Sequence, residues 1–267
     1  MRTTILIFVI TVLSFANVFA QSSPGDIVTD RPDQTESPDL VPPGYVQVES
    51  GVSFEKYTDQ DNQNWEQDQT YFSTLIRIGV FKNLEVRIAP EYANITHKYR
   101  SQQNNPWNEQ NFSGFNPLVL GTKIFILNES SNLPAMSFLF HVDLPEVASS
   151  DFKGGYPTPE IRLAVAKELS DRFSLGVNLG AEFDMAYRST NGLYTIALGT
   201  GITDKLSGFI EFYGFFRERF DNIHFFDGGF TYLLQKNLQI DVSGGVGLTD
   251  LTHDYFINGG ISVRLPR

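Results

Sequence analysis

Ionisable side chains recur on the polar face of several runs in which apolar and polar residues alternate. They are Glu49, Glu55, Arg77, Glu85, Arg87, Glu91, Glu182, Asp184, Glu211, Arg217 and Asp241. Alternate residues of an extended chain point to the same side, so these charges would share one surface of a sheet. Two interpretations stay open. Either the charges pair and fill a closed interior, or they line a mostly acidic passage that disfavours anions.

The sequence also contains four histidines, the side chains best suited to acid–base chemistry near neutral pH: His97, His141, His224 and His253. Asp254 adjoins His253, but neighbouring strand residues point to opposite faces, so the two should not form a dyad. His141 and Asp143 share a face and could pair. No Gly-x-Ser-x-Gly motif accompanies them, and no His/carboxylate group has metal-ligand spacing. We therefore predict no catalytic residues, no metal site and no cofactor.

A further charged group precedes the first predicted strand and consists of Asp30, Arg31, Asp33 and Glu36. It stands in residues 21–43, a Pro-, Asp- and Ser-rich stretch without periodicity, which predicts an extended segment. One interpretation is a solvated tail. The other is a plug that enters a barrel and satisfies basic residues of its wall, such as Arg77, Arg87 and Arg217. Pro32 and Pro38 would keep such a plug extended and outside the sheet ladder.

Residues 1–20 have the organisation of a cleaved secretory signal peptide. Arg2 supplies the positive start, residues 5–15 are apolar, and Val18 and Ala20 are small enough to precede a cleavage site. The apolar run is well short of the roughly 20 residues that a spanning helix needs. No later stretch is continuously apolar over a comparable length, which argues against helical membrane spans.

Composition limits the class of protein further. Lys and Arg total 20 against 31 Asp and Glu, a net charge of −11 that becomes −12 once Arg2 leaves with the signal peptide. Such an acidic chain is a poor partner for nucleic acid. The absence of cysteine excludes a disulfide framework, a lipid-attachment site and thiolate metal ligands. The 23 Phe, 11 Tyr and 22 Gly favour an all-β fold.

From residue 44 onward the sequence alternates with a period of two, as strands do. The runs commonly extend for about 10 to 15 residues, longer than the 5–6 of most soluble strands and long enough to cross a bilayer. We predict about twelve strands, near residues 44–57, 69–79, 84–97, 114–127, 133–142, 160–169, 173–188, 191–201, 206–219, 223–234, 238–248 and 255–265.

The predicted connections alternate between short, polar turns and longer loops, which is typical of outer-membrane barrels. An even number of strands then places both termini in the periplasm. The sequence therefore predicts an all-β, transmembrane, antiparallel up-and-down β-barrel over residues 44–267. Aromatic residues near strand ends predict interfacial girdles: Tyr45, Tyr57, Tyr92, Phe173, Tyr187, Phe220, Phe225, Tyr232 and Tyr255.

Two stretches carry a family resemblance. From Thr29 the chain reads Thr-Asp-Arg-Pro-Asp-Gln-Thr-Glu-Ser-Pro, and from Val41 it reads Val-Pro-Pro-Gly-Tyr-Val-Gln-Val-Glu-Ser-Gly. This resembles the start of mature proteins in the family named for the MetA-pathway of phenol degradation, and the strand–turn pattern continues the resemblance over most of the chain. The resemblance implies an outer-membrane, channel-like protein for small hydrophobic or aromatic compounds, and it supplies no catalytic residues to carry over.

Three functions stay open at this point. The leading one is passive transport through a narrow or plugged pore, because about twelve strands lie between filled 8-stranded and open 16-stranded barrels. The alternatives are a non-transporting structural or adhesive barrel and a soluble periplasmic β-sandwich. The expected partners are outer-membrane lipid and a small solute. We expect a monomer, since no long apolar interface stands out from the lipid-facing band.

Overall fold

The computed structural model describes residues 24–58, 64–102, 104–250 and 252–267, and its strands form one closed antiparallel sheet. The predicted signal peptide lies outside these residues. The strands are β1 (Tyr45–Thr58), β2 (Trp65–Phe81), β3 (Leu84–Ala89), β4 (Glu91–Tyr99), β5 (Asn108–Phe115), β6 (Leu118–Leu127), β7 (Ala135–Leu144), β8 (Thr158–Glu168), β9 (Phe173–Asp184), β10 (Ser189–Gly201), β11 (Leu206–Phe216), β12 (Ile223–Gln235), β13 (Leu238–Gly247) and β14 (Tyr255–Pro266). Strand β1 pairs with both β2 and β14, which closes the ring.

The barrel wall has twelve strand positions, although fourteen strands are numbered. Two pairs of shorter strands, β3 with β4 and β5 with β6, each occupy one position. β3 and β4 both pair with β2 and are separated by Pro90, while β5 and β6 are separated by Asn116 and Pro117. Proline has no N–H to donate to a ladder, so regular pairing is interrupted at these positions. The predicted twelve-stranded, up-and-down antiparallel barrel is thus confirmed.

The helical content of the described residues is small. Two single 3-10 turns, Pro145–Val147 and Ser150–Phe152, lie in the connection between β7 and β8. No helix in the described part of the chain has the length and apolar character needed to cross a membrane.

Strand boundaries depart from the prediction mainly where the chain becomes polar. β2 begins at Trp65 rather than at residue 69. Lys56 contacts Glu66 at 2.6 Å across the β1–β2 pair, and Lys98 contacts Asp68 at 2.7 Å across the β2–β4 pair. Charged cross-strand pairs of this kind extend a sheet beyond its apolar zone, and apolar alternation alone does not detect them.

The shorter connections, the start of β1 and the end of β14 lie at one end of the barrel, here called the turn end, and the opposite end is the loop end. Hydroxyl groups organise the turns: Thr203 Oγ1 accepts the backbone N–H groups of Lys205 and Leu206. Side-chain capping of this kind is a usual reason for Ser and Thr in turns. The turns therefore fix which strands become neighbours.

The barrel is apolar outside and polar inside. On the outer surface Leu179 is 59% exposed and Val242 is 50% exposed, whereas Arg77 and Lys123 in the interior are 0% exposed. A continuous band of exposed large apolar side chains is far larger than a soluble monomer presents to water. This arrangement suits a wall whose outer face is covered by lipid.

The predicted aromatic girdles are correct only in part. Tyr92 lies on the outer surface in ring contact with Phe72 and Phe115. Tyr57 and Phe225 instead point inward and contact the ring of His253, with centroid separations of 5.8 and 4.9 Å. Their positions in the alternation, on the same face as Glu55 and Asp227, are the reason.

The outer band gives a direct test of lipid burial. Val242→Arg near the middle of β13 should destabilise the folded barrel by about 2–4 kcal/mol, because a cation is costly at the bilayer midplane. Chemical unfolding in lipid vesicles measures this loss. Leu169→Arg, in an exposed turn-end connection, is the matched control and should cost at most about 1 kcal/mol. Equal stability of the two variants would contradict lipid burial of Val242.

Candidate functional site in the barrel interior

Residues 24–43, here called the N-terminal segment, lie inside the barrel. The segment begins at the turn end, where Arg264 donates to the Gly25 carbonyl and the Ile27 N–H donates to the Lys236 carbonyl at 2.7 Å. Its last residues lead directly into β1 at the same end. The segment therefore enters the interior as a loop and returns, rather than passing through.

Side chains from around the whole ring hydrogen-bond to the N-terminal segment. Ser137 donates to the Pro38 carbonyl at 2.5 Å. Asn178 accepts the Glu36 N–H at 2.7 Å and donates to the Glu36 carbonyl at 2.9 Å. These bonds satisfy backbone groups of Glu36 and Pro38 that have no sheet partner, which allows an irregular chain to be buried here.

A cluster of seven charged residues holds the segment against one side of the wall. This interior charge cluster consists of Asp30, Glu36, Glu49, Arg77, Glu85, Arg87 and Lys123. Asp30 is central, since its carboxylate lies 3.1 Å from Arg77, 2.8 Å from Arg87 and 2.8 Å from Lys123. All three of these cations come from β2, β3 and β6.

The strands alone do not balance the interior charge cluster. They bring three cations and only two carboxylates, Glu49 and Glu85. The segment adds the carboxylates of Asp30 and Glu36, so that four carboxylates face three cations. Burial opposes ionisation of Asp30, but the adjacent Arg77, Lys123 and Arg87 outweigh it and hold its pKa well below the usual range. Removing one partner of a buried ion pair is strongly destabilising, because the other charge stays buried without compensation. The stability of the wall and the docking of the segment therefore depend on each other.

The opposite side of the segment faces carboxylates. Glu211 accepts the Gln34 N–H at 2.7 Å and the Thr35 hydroxyl at 2.5 Å. Burial raises the pKa of Asp33 well above its usual range, and the nearby carboxylates of Glu211 and Asp227 add to the rise. Asp30 and Asp33, three positions apart, thus experience opposite electrostatic environments.

Arg31 fixes the segment to the last strands of the barrel. Its guanidinium lies 2.9 Å from Asp241 and donates to Asn258 Oδ1 at 2.8 Å. Gly51 and Gly260 make room for it, because a Cβ at either position would overlap the guanidinium. Glycine at both positions allows the guanidinium to lie directly against the strand backbone.

Two cavities lie on either side of Arg31, Pro32 and Asp33. The outer cavity, about 370 Å³, extends toward the loop end and is lined by Glu55, Tyr71, Glu91, Tyr213, His253 and Phe256. The inner cavity, about 290 Å³, extends toward the turn end and is lined by Thr29, Gly201, Ser207, Thr231 and Gln239. The three segment residues line both cavities and therefore separate them.

A third cavity, about 360 Å³, is lined by His141 and Asp143, one of the pairs considered for acid–base chemistry. His141 Nδ1 lies 3.4 Å from Glu160, not from Asp143, which instead accepts the Thr158 N–H at 2.6 Å. His141 and Asp143, which the alternation would have allowed to pair, thus have other partners. In the described part of the chain, no three His, Asp or Glu side chains are grouped so that they could hold a metal ion.

The predicted ionisable residues occupy different parts of the interior. Glu49, Arg77, Glu85 and Arg87 belong to the interior charge cluster, Glu211 and Asp241 bind the segment, Glu55 and Glu91 line the outer cavity, and Glu182 and Asp184 line the third cavity. Arg217 is an exception. It follows the end of β11, and its Nε donates to the Asp221 carbonyl at 2.7 Å, so it does not contact the segment.

The interior residues predicted from the sequence do not include Lys123 or Asp227. Lys123 stands on the opposite face from Ile124 and Ile126, which are exposed on the outer surface. The same alternation that identified the other charges could therefore have placed Lys123 in the interior. No sequence signal indicates that its partner is Asp30, which lies 93 positions away along the chain.

The interior charge cluster predicts how firmly the segment is held. Asp30→Asn removes the carboxylate shared by three buried cations and should weaken docking by about 3 kcal/mol. A spin label on Val28→Cys, whose parent side chain is 44% exposed, reports docking as low label mobility in a chain that lacks cysteine. Asp26→Asn, at an exposed residue of the same segment, should leave mobility unchanged. An immobile label in Asp30→Asn would contradict the prediction.

The raised pKa of Asp33 predicts that its contribution to docking of the segment depends on pH with the opposite sign to that of Asp30. Because docking raises the pKa of Asp33, its contribution is complete below the ordinary Asp pKa of about 4 and declines as pH rises through the docked value. Asp33→Asn should therefore reduce label mobility at pH 8 relative to the parent chain, and the two should converge toward pH 4. Greater mobility of Asp33→Asn at pH 8 would overturn this sign.

Solved structures with the same fold are outer-membrane barrels. The COG4313 outer membrane channel from Pseudomonas putida F1 has a TM-score of 0.64 at 8% identity, covering 92% of this chain and 100% of that one. The NanC porin has a TM-score of 0.51 at 8% identity, covering 82% and 100%. The translocator domain of autotransporter NalP from Neisseria meningitidis has a TM-score of 0.51 at 10% identity, covering 82% and 88%.

Sequence comparison identifies the family. None of the curated proteins compared with this chain matches it. The family model described as "Putative MetA-pathway of phenol degradation" matches residues 29–265, from the N-terminal segment through β14. Since this range includes most of the chain, the protein belongs to that family.

Proposed function

We propose that this protein is an outer-membrane channel for passive transport of small molecules, in which the N-terminal segment restricts the passage. The observation that carries the proposal is the pair of cavities separated by Arg31, Pro32 and Asp33. One cavity extends toward each end of the barrel, so displacement of these three residues would join them. A passage obstructed at one level is the arrangement expected of a restricted pore.

The lining favours compounds with an apolar or aromatic part. Tyr213 stacks on Phe225 at a centroid separation of 4.7 Å, and Phe256 and Tyr71 line the same outer cavity. Aromatic walls bind flat apolar groups through burial and ring contacts. The phenol-degradation description of the family is consistent with such solutes.

The proposed orientation follows from the two ends of the barrel. Short turns and both chain ends would lie in the periplasm, and the longer connections would face the cell exterior. A signal peptide in residues 1–20 would deliver the chain through the inner membrane. The exposed apolar band would contact outer-membrane lipid around the whole ring, which suits a monomer.

A non-transporting barrel is the second candidate. It is favoured by the many hydrogen bonds between the segment and the wall. These include the bonds made by the fully buried side chains of Arg77, Glu85 and Lys123. A segment held this firmly could serve to stabilise the barrel rather than to gate it. The two functions differ in whether ions cross the protein.

Conductance in planar bilayers distinguishes these functions. Deleting residues 24–40 should join the two cavities and raise single-channel conductance severalfold over the parent chain. Arg31→Ala in the complete chain, which releases the contacts with Asp241 and Asn258, should give a smaller rise or frequent openings. Arg172→Ala, in an exposed turn, is the control and should behave as the parent does.

Two outcomes of the conductance measurement would contradict the proposal. If the deletion variant folds, as judged by its β-sheet circular dichroism, and conducts no better than the parent, the segment does not restrict a passage. If none of these proteins conducts, the non-transporting barrel is favoured.

A further inference from the structure

The outer cavity combines aromatic walls with a polar group that has no protein partner. The His253 ring lies 4.9 Å from the ring of Phe225 and 5.2 Å from that of Phe256. His253 is 5% exposed, and its Nε2 has no hydrogen-bond partner among the described residues. A buried polar atom without a partner is unusual in a native structure, and it indicates a group that a ligand could satisfy.

His253 does not bring positive charge into the cavity. It belongs to the connection before β14, and burial lowers its pKa to about 4, only partly opposed by Asp254. The imidazole is therefore neutral at physiological pH. A neutral ring can add an aromatic surface to the wall and one hydrogen-bonding nitrogen.

The charges around the outer cavity are mainly negative. Glu55 accepts a hydrogen bond from Tyr57 at 3.1 Å and lies 3.8 Å from His253, while Glu91 accepts one from Asn116 at 2.7 Å. Among the described residues that line the cavity, Arg31 is the one cationic side chain, and Asp241 neutralises it. The local field therefore attracts cations and repels anions.

We propose that the outer cavity is a binding site for small organic cations that carry one aromatic ring. The ring would lie among Tyr213, His253 and Phe256, and the ammonium group would pair with Glu55, which lies 3.8 Å from His253. Glu91 would add to the negative field. The cavity volume of about 370 Å³ is within the range of small-molecule sites. This proposal rests on the proposed channel function and names the solute class that the outer half of its passage selects.

Three probes of nearly equal size separate charge from shape: benzylammonium, benzyl alcohol and benzoate. Isothermal titration of the complete, folded chain in detergent should show benzylammonium binding about tenfold more tightly than benzyl alcohol, from the ion pair and cation–π contacts. Benzoate should show no measurable binding. Titration of protein-free micelles corrects for partitioning of each probe into detergent.

Two variants test the residues. Glu55→Gln should reduce the affinity for benzylammonium severalfold, toward that for benzyl alcohol, and leave the affinity for benzyl alcohol unchanged. Phe256→Leu should weaken both probes by a similar factor, because both contain the ring. Glu109→Gln, at an exposed residue of β5 near the loop end, is the matched control and should alter neither affinity.

Equal affinity of the parent chain for benzylammonium and benzyl alcohol, or an unchanged preference in Glu55→Gln, would overturn the proposal. The channel is judged separately, by uptake of the same probes into proteoliposomes. Selective binding without uptake would support the site and reject transport. Uptake that does not distinguish the three probes would support transport and reject the site.

Discussion

Closure of the sheet is the constraint from which the other features of this protein follow. A strand in lipid cannot leave backbone N–H and C=O groups unpaired, so β1 must pair with β14 as well as with β2. Closure fixes two faces, and alternation then sends apolar side chains outward and polar ones inward. A twelve-stranded ring encloses more space than its own side chains fill, and the N-terminal segment occupies part of that space. The polar interior is thus a consequence of the lipid outside, and its charges must be neutralised within the ring.

Neutralisation explains why the segment lies where it does. The strands place Arg77, Arg87 and Lys123 close together, and Asp30 of the segment contacts all three. On the opposite wall, Glu211 accepts hydrogen bonds from a backbone N–H and a hydroxyl group of the segment. Such neutral donors stabilise a carboxylate, whereas a second carboxylate beside it would repel it. Asp33 is an acid at that wall, so its environment is the less favourable one. The segment is therefore held mainly on its Asp30 side, and the cavities are found along the side of Arg31, Pro32 and Asp33.

The sequence predicted most of the barrel because one physical rule, period-two alternation, acts on nearly every residue of the strands. It failed where another interaction replaced that rule, as in the Lys56–Glu66 pair at the start of β2 and at Arg217, which follows the end of β11. The alternation also grouped the predicted charges on one face of the strands, yet it could not pair them. Arg31 and Asp241 are 210 positions apart, and their contact depends on where the segment lies, which no local pattern encodes.

A shared barrel fold likewise does not determine which inward side chains interact. At 8% identity the Pseudomonas putida channel shares the fold of this chain, because closure and alternation demand only apolar residues outside and compatible turns. The same architecture occurs in a porin and in an autotransporter translocator, so the wall does not decide what passes through it. Selectivity depends on inward side chains, which can differ while the outer band stays apolar. For this protein the proposed solute class rests on the outer cavity, where Glu55 and Glu91 lie beside an aromatic lining that includes Phe256. A solute is therefore better argued from those residues than from the name of any protein with the same barrel.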